Sequence, residues 1–228
     1  MLWAVWPSGW PEYSEGNRLP NLEQARAWYP EHDPVHGFDH VQRVLALVER
    51  FGAQLGADLE ILRAAALLHD AAGAAPLSIG RAAHEHSSAE FARAVLEQEG
   101  WPSERIEPVL HCIRAHRYRG VEQPNSLEAK VLFDADKLDV IGAFGVARTI
   151  GYAVQAGAPI FAEPSEHFMD SGERSAGEPH SVYHEYLFKL RRVRDRLHTE
   201  PARQLAAERE QLLRAFFEQL AAEARGEG

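Results

Sequence analysis

Apolar residues recur at intervals of three and four positions along most of this chain, which is the spacing of amphipathic helices. No convincing segment rich in Val, Ile and Thr is bounded by turn residues, as a strand would be. The sequence therefore predicts an all-α fold. The predicted helices cover about 21–29, 38–54, 58–71, a segment that begins at Ser87, 104–117 with a late start because of Pro108, 126–156 with a break near Gly142 and Gly145, and two helices within 182–223.

The segment 58–71 is apolar nearly all round its predicted helix, which is typical of a helix at the centre of a bundle. Residues 1–20 are rich in Trp, Pro and Gly and are predicted to form an extended arm. Residues 21–228 are predicted to be a single domain, in which the aperiodic segment 157–181 is a long loop or a lid. The C-terminal helices over 182–223 follow that loop.

The composition is typical of a globular protein, and the net charge limits the classes of partner that are expected. The chain has 228 residues, 45% of them hydrophobic, and a formal net charge of −10. An acidic surface repels duplex nucleic acid, so a polymeric nucleic acid is not expected as a partner. A small phosphorylated ligand stays compatible with this charge, because a cation in a binding site would invert the local potential.

A single cysteine, Cys112, excludes an intramolecular disulfide and fits a reducing compartment. The N-terminal residues lack the basic start and long apolar stretch of a secretory signal. No apolar run approaches the length that spans a bilayer, so no membrane association is expected. We therefore expect a cytoplasmic protein.

Two residues that commonly bind metals, His69 and Asp70, stand side by side at the end of the predicted central helix. A buried carboxylate is costly unless it is paired, and a divalent cation can pair with an Asp and a His at one point. Two further His and Asp clusters, within 36–44 and 131–139, are also attached to apolar helical segments. Three such clusters together predict one cation site.

In chain order, His40, the pair His69 and Asp70, and Asp136 form the pattern H…HD…D. Here the chain resembles the HD-domain superfamily of metal-dependent phosphohydrolases. His40 matches the first ligand in H-x-x-R-V, and Asp136 the last ligand in D-A-D-x-L-D. The resemblance implies an HD-domain helical bundle, with two additional C-terminal helices here, in which these four side chains hold one divalent cation.

The resemblance covers about residues 30–223, because the C-terminal part is also similar to a stand-alone bacterial subgroup of HD hydrolases. The residues that carry this second match are 180–187, Thr199, 207–209, Phe216 and Phe217. Within 131–139, Asp136 is preferred as the ligand, while Asp134 or Asp139 could instead orient a coordinating histidine.

Two imidazoles and two carboxylates leave coordination positions for water and suit Mn²⁺, Fe²⁺, Co²⁺, Ni²⁺, Mg²⁺ or Zn²⁺, with manganese the first expectation. Water on such a cation can attack phosphorus near neutral pH. We therefore expect a metal-dependent phosphohydrolase that cleaves a phosphate ester or anhydride of a small phosphorylated metabolite. The resemblance implies a nucleotide. The alternatives are a non-catalytic HD module that binds and senses a nucleotide, and a cation that only stabilises the bundle.

Further polar residues lie near the predicted cleft. Lys137 is a candidate for pairing with a substrate phosphate, or else a solvated lysine at a helix end. The histidines near the cleft could bind a second metal, but a single-metal site is preferred. Either the aromatic arm or the basic-faced first C-terminal helix could serve a homo-oligomer interface. The candidate catalytic residues are Lys137, His86 and His116, with His86 placed just outside a helix N-terminus, and the candidate substrate contacts are His36, Arg117, Arg119 and His184.

Overall fold

The structure is a computed structural model that describes residues 19–29, 37–72, 84–117 and 120–227. These residues form helices and connecting segments without a strand, which confirms the predicted all-α fold. Most of the predicted N-terminal arm, residues 1–18, lies outside the described residues. The helices are α1 (Leu22–Arg26), α2 (Phe38–Leu55), α3 (Leu59–Leu68), α4 (His84–Gln98), α5 (Ser103–Ala115), α6 (Leu127–Leu138), α7 (Gly142–Gln155), α8 (Glu166–Ser171), α9 (Val182–Phe188) and α10 (Glu200–Ala224), with two 3-10 turns at Leu190–Arg192 and Arg194–Arg196.

Helix α3 lies at the centre, as its apolar sequence predicts, and packs against α2, α4, α5 and α6. Three consecutive alanines, Ala64, Ala65 and Ala66, are fully buried and allow neighbouring helices to approach closely. Helix α6 also packs against α10, and α10 packs against α7. None of the described helices is both long and apolar enough to cross a membrane.

The ends of the core helices are fixed by local side-chain caps. Asp58 accepts hydrogen bonds from the amides of Glu60 and Ile61 at the start of α3. Ser126 caps α6 in the same way through the amide of Ala129. Helix α3 ends three residues earlier than predicted, so His69 is its C-cap and Asp70 lies just beyond it. The His-Asp pair therefore emerges at a helix end rather than from within a helix.

The break between α6 and α7 confirms the interruption predicted near Gly142. Gly142 begins α7 with a φ of +74°, a left-handed conformation that favours glycine. Three residues later, a Cβ atom on Gly145 would lie 2.3 Å from the carbonyl carbon of Val140. Only glycine can fill that position without moving the backbone.

The late start that Pro108 predicts for the helix over 104–117 is wrong, and so is the predicted start at Ser87. Helix α5 begins at Ser103 and includes Pro108. The residue four positions earlier, Glu104, is exposed, so water can satisfy the carbonyl that the proline cannot bond. Helix α4 begins at His84, so Ser87 is not its cap and His86 lies inside the first turn.

The segment 157–181 contains the short helix α8 and is tied together by Glu178. Its carboxylate accepts hydrogen bonds from the amide and the hydroxyl of Ser165 and from the amide of Ser175. The first predicted C-terminal helix is also shorter than expected, because α9 ends at Phe188 and the chain continues in 3-10 turns.

Asp134 caps the longest helix, α10, from a different part of the chain. Its buried carboxylate accepts hydrogen bonds from the amides of His198 and Thr199 and from the Thr199 hydroxyl, at 2.6–2.8 Å. These groups precede the first turn of α10, so Asp134 joins α6 to the start of that helix. Asp134 was also considered as a residue that orients a coordinating histidine. These contacts do not provide that role.

We expect Asp134→Ala to lower the free energy of unfolding by about 3 kcal/mol, because it leaves buried donors without their charged acceptor. Urea denaturation monitored by circular dichroism measures this difference. The exposed carboxylate variant Glu97→Ala is the control and should change stability by less than about 0.5 kcal/mol. Equal stability of both variants would contradict the capping role.

Candidate metal centre

Side chains from the ends of three helices meet at one buried point. His40 lies in the first turn of α2, His69 and Asp70 follow α3, and Asp136 lies in the last turn of α6. All but Asp70, which is slightly more exposed, are buried. The structure thus brings together the four residues that the H…HD…D pattern selected.

The distances in this cluster fit a bound cation. His40, His69 and Asp136 each offer a ligand atom, and these atoms lie within 4.8 Å of one another. His40 Nε2 is 3.3 Å from His69 Nε2 and 3.4 Å from an oxygen of Asp136. Asp70 Oδ2 is 3.5 Å from His69 Nε2.

Hydrogen bonds on the far side of each imidazole select the form that can bind a metal. His69 Nδ1 lies 2.8 Å from the carbonyl oxygen of Ala66, and His40 Nδ1 lies 2.7 Å from a carboxylate oxygen of Asp139. Both partners can only accept, so both Nδ1 atoms must donate. When both rings are neutral, as metal binding requires, each turns an Nε2 lone pair toward the other, and a cation between them would accept both.

The electrostatics of His69, Asp70 and Asp136 favour the protonation states that metal ligands require. At His40, burial and the charge of Arg148 act to lower the pKa, but the hydrogen bonds to Asp136 and Asp139 raise it above its usual value. Burial lowers the pKa of His69 to about 4. The charge of Asp70 opposes this shift, while His116 and His40 reinforce it. Burial acts to raise the pKa of both Asp70 and Asp136. Nearby His69, with other neighbours, nevertheless holds the pKa of Asp70 well below its usual range. Lys137, with other neighbours, does the same for the pKa of Asp136. Neutral His69 and two ionised carboxylates are therefore expected at neutral pH.

A second layer of residues surrounds His40. The buried carboxylate of Asp139 accepts hydrogen bonds from Arg43 Nε at 2.7 Å and from Arg148 Nη1 at 2.6 Å, in addition to His40. Burial opposes ionisation of Asp139, yet the hydrogen bonds from His40 and Arg43 lower its pKa to about 2. Asp134 and Asp139 were the two carboxylates considered as partners that orient a coordinating histidine. Asp139 is the one that contacts His40.

Arg43 and Arg148 were not predicted as parts of the site. Arg43 lies within the H-x-x-R-V motif, so its spacing from His40 was a visible signal. Arg148 is the single charged residue in the sequence of α7, and a lone charge in an apolar helix was also a visible signal. Their shared partner, Asp139, could not be read from local spacing.

Two further candidates border the cluster. His116 is buried at the C-cap of α5, with Nε2 3.6 Å from Asp70 Oδ1 and Nδ1 2.5 Å from the carbonyl of Ile113. Lys137 is buried with its ammonium group against Asp136 and 5.4 Å from the ring centre of Phe133. Lys137 is therefore not a solvated lysine.

Of the other candidates, one pairs with a carboxylate, one is exposed, and two lie outside the described residues. Arg117 donates to Glu85 at 3.0 and 3.2 Å, and His86 is exposed one residue away in the first turn of α4. His36 and Arg119 lie outside the described residues.

The structure gives His184 a different place from the predicted substrate contact. It is buried, with Nδ1 2.7 Å from the Ser181 hydroxyl, Nε2 3.0 Å from Glu178, and its ring against Phe168. Both nitrogens are thus engaged in holding the 157–181 segment. That geometry does not support the prediction that His184 contacts substrate.

The chain is similar to known proteins over most of its length. Residues 37–141 match the family model of the HD domain. The uncharacterized protein YpgQ of Bacillus subtilis (strain 168) is 30% identical over 210 residues, which covers 89% of this chain and 93% of YpgQ. A crystal structure of YpgQ in complex with ADP has a TM-score of 0.66 at 29% identity and covers 89% of this chain and 94% of that one.

Two other solved structures are similar over a comparable length. A protein from Lactobacillus plantarum has a TM-score of 0.73 at 26% identity, covering 90% of this chain and 95% of that one. An HD-superfamily hydrolase from Bacillus thuringiensis has a TM-score of 0.62 at 25% identity, covering 90% and 96%. The similarity therefore covers much more of the chain than the segment that matches the family model.

We expect Mn²⁺ to stabilise the protein through this cluster, by about 2.7 kcal/mol at a hundredfold excess over its dissociation constant. Asp136→Ala should abolish that gain, because it removes one of the converging oxygens. Thermal unfolding with Mn²⁺ and with EDTA measures the difference. Asp134→Ala is the matched control on the same helix and should unfold earlier yet keep the gain; loss of the gain in both variants would contradict the assignment.

Proposed function

Because the chain belongs to the HD-domain superfamily, we propose that it is a metal-dependent hydrolase of phosphate esters or anhydrides. The observation that supports this most directly is the convergence of His40, His69 and Asp136 within 4.8 Å, with the far nitrogen of each histidine already engaged. A site of nitrogen and oxygen ligands with positions left open is typical of catalytic rather than structural metal centres.

The residues of the cluster have separate roles in this proposal. His40, His69, Asp70 and Asp136 hold a divalent cation, with manganese the first expectation and one cation preferred to two. When bound, such a cation makes hydroxide available near neutral pH and neutralises charge on a phosphoryl oxygen. The ammonium group of Lys137 adds positive charge at Asp136, where a phosphate would approach.

In this proposal, His116 exchanges a proton with a group bound at Asp70. Its Nε2 is the ring nitrogen nearest Asp70, at 3.6 Å, while the carbonyl of Ile113 holds Nδ1. This arrangement fixes the ring and leaves one nitrogen facing the cluster, as a general acid or base requires. Burial of the surrounding side chains keeps bulk water from competing for that position.

We further propose that the substrate is a nucleotide. YpgQ, which is similar over nearly its whole length, has been solved in complex with ADP. A nucleotide offers the cation its phosphate oxygens, and the acidic chain depends on that cation to attract an anion. Which bond is cleaved decides between release of phosphate and release of pyrophosphate.

A screen of phosphorylated metabolites tests this proposal. We expect the wild-type protein with Mn²⁺ to hydrolyse at least one nucleotide, with products identified by mass spectrometry. His69→Ala should reduce kcat/KM by about a thousandfold or more, because several kcal/mol of transition-state stabilisation are lost with the metal. His111→Ala is the control, since His111 pairs with Glu122 near the surface.

The outcomes separate the proposal from its alternatives. Full metal content and full activity in His69→Ala would refute the assignment of the ligands. Tight nucleotide binding by the wild type without turnover of any compound would favour a non-catalytic nucleotide sensor. Metal retention with no effect of nucleotides would favour a cation that only stabilises the bundle.

Lys137→Met should lower kcat/KM by about tenfold to a hundredfold without weakening Mn²⁺ binding. The reason is that the ammonium group and the cation share the Asp136 carboxylate, so its removal leaves that ligand more available. Steady-state kinetics and Mn²⁺ titration on the same preparations check both parts. Unchanged kcat/KM in Lys137→Met would rule out a role for Lys137 in phosphate binding.

A further inference from the structure

Arg148 brings a buried charge to the site from outside the segment that matches the HD-domain model, residues 37–141. It lies on α7, and its Nη1 atom donates to Asp139 Oδ2 at 2.6 Å. A buried guanidinium needs an anionic partner, and Asp139 supplies it. The C-terminal half of the chain therefore contributes directly to the surroundings of His40.

Asp139 joins Arg148 to the metal centre. The same Oδ2 atom lies 2.7 Å from His40 Nδ1, and because a carboxylate only accepts, Nδ1 must carry the proton. Arg148 Nη1 and His40 Nδ1 are 3.1 Å apart because both donate to the same carboxylate oxygen, and they are not hydrogen-bonded to each other. In the neutral ring, the form that binds a metal, the lone pair is on Nε2, which faces Asp136 and His69.

The carboxylate of Asp139 is held from both sides. Arg43 on α2 donates to Oδ1 from Nε at 2.7 Å and to Oδ2 from Nη2 at 2.9 Å, while Arg148 on α7 donates to Oδ2. Two guanidinium groups on different helices fix the plane of the carboxylate, and the carboxylate fixes the imidazole. Removing Arg148 would take away the donor that holds Oδ2 from the side of α7.

We propose that Arg148 is a positioning residue that acts through Asp139 to hold His40 in the tautomer and orientation that bind a metal. This inference rests on the proposed metal site, although not on turnover of any substrate. It implies that metal affinity depends on the placement of α7 against α6 and α10. A merely structural role would affect folding stability and leave metal affinity unchanged.

The test is the dissociation constant of Mn²⁺, measured by electron paramagnetic resonance of free Mn²⁺ below the unfolding temperature. Arg148→Met should weaken binding by about 10- to 100-fold, the usual cost of removing an outer-layer partner of a metal ligand. Arg148→Lys should lose less, because it keeps the charge but not the planar donor group. The double variant Asp139→Asn with Arg148→Met should bind no more weakly than Asp139→Asn alone, because both changes break one connection.

Arg105→Met is the matched control, since Arg105 also bridges two carboxylates, Asp58 and Glu60, but at the opposite end of α3. It should lower the unfolding temperature in EDTA without changing the Mn²⁺ dissociation constant. Wild-type affinity in Arg148→Met, or additive losses in the double variant, would overturn the inference. If Arg148→Met does not fold, Arg148→Lys and Asp139→Asn decide, and wild-type affinity in both would overturn it equally.

The same measurement distinguishes this inference from the proposed function. A wild-type protein that binds Mn²⁺ but hydrolyses no phosphorylated compound would contradict the hydrolase, while the Arg148 variants would still decide the positioning role. A wild-type protein that binds no Mn²⁺ would overturn both. In the metal-free protein, the imidazole ¹⁵N shifts of His40 should report a protonated Nδ1 in the wild type and a mixture of tautomers in Asp139→Asn.

Discussion

The burial of ionisable side chains at one point is the constraint on which this bundle depends. Carboxylates and imidazoles removed from water are stable only when each has a partner. The chain meets that requirement by placing them at helix ends, where the last carbonyls of a helix have no partner within it. His69 and His116 are both C-cap residues, and each donates to the carbonyl three residues earlier. One hydrogen bond therefore completes a helix end and aims a ring nitrogen at the cluster.

Helix α6 shows how a short sequence serves the site and the fold together. Asp134 and Asp136 are two residues apart, so they point to nearly opposite sides of the helix. Asp134 caps α10, and Asp136 lies beside His40. Asp139, just past the last turn, holds the other side of the same imidazole. The acidic run is thus divided among three tasks by helical geometry alone.

Much of this arrangement could be predicted from the sequence, because it follows from short-range patterns. Helical spacing identified α2, α3 and α6, and the attachment of His and Asp residues to apolar segments identified the cluster. The pairing of Asp139 with Arg148 depends on how α6 and α7 turn relative to each other, which no local pattern encodes. The place of His184 was missed for a similar reason, since its partner Glu178 lies in an aperiodic segment.

The close approach of Gly145 to the backbone of Val140 makes the geometry of the metal centre depend on a residue that contacts none of its ligands. A methyl group there would meet the backbone of Val140, and relief of that overlap requires the start of α7 to shift. Such a shift would carry Arg148 with it, although glycine itself has no chemistry to contribute. In a mutational survey of this chain, intolerance at position 145 would thus report spacing between two helices rather than participation in the reaction. Sterically forced positions of this kind mark where a fold and its activity cannot diversify independently.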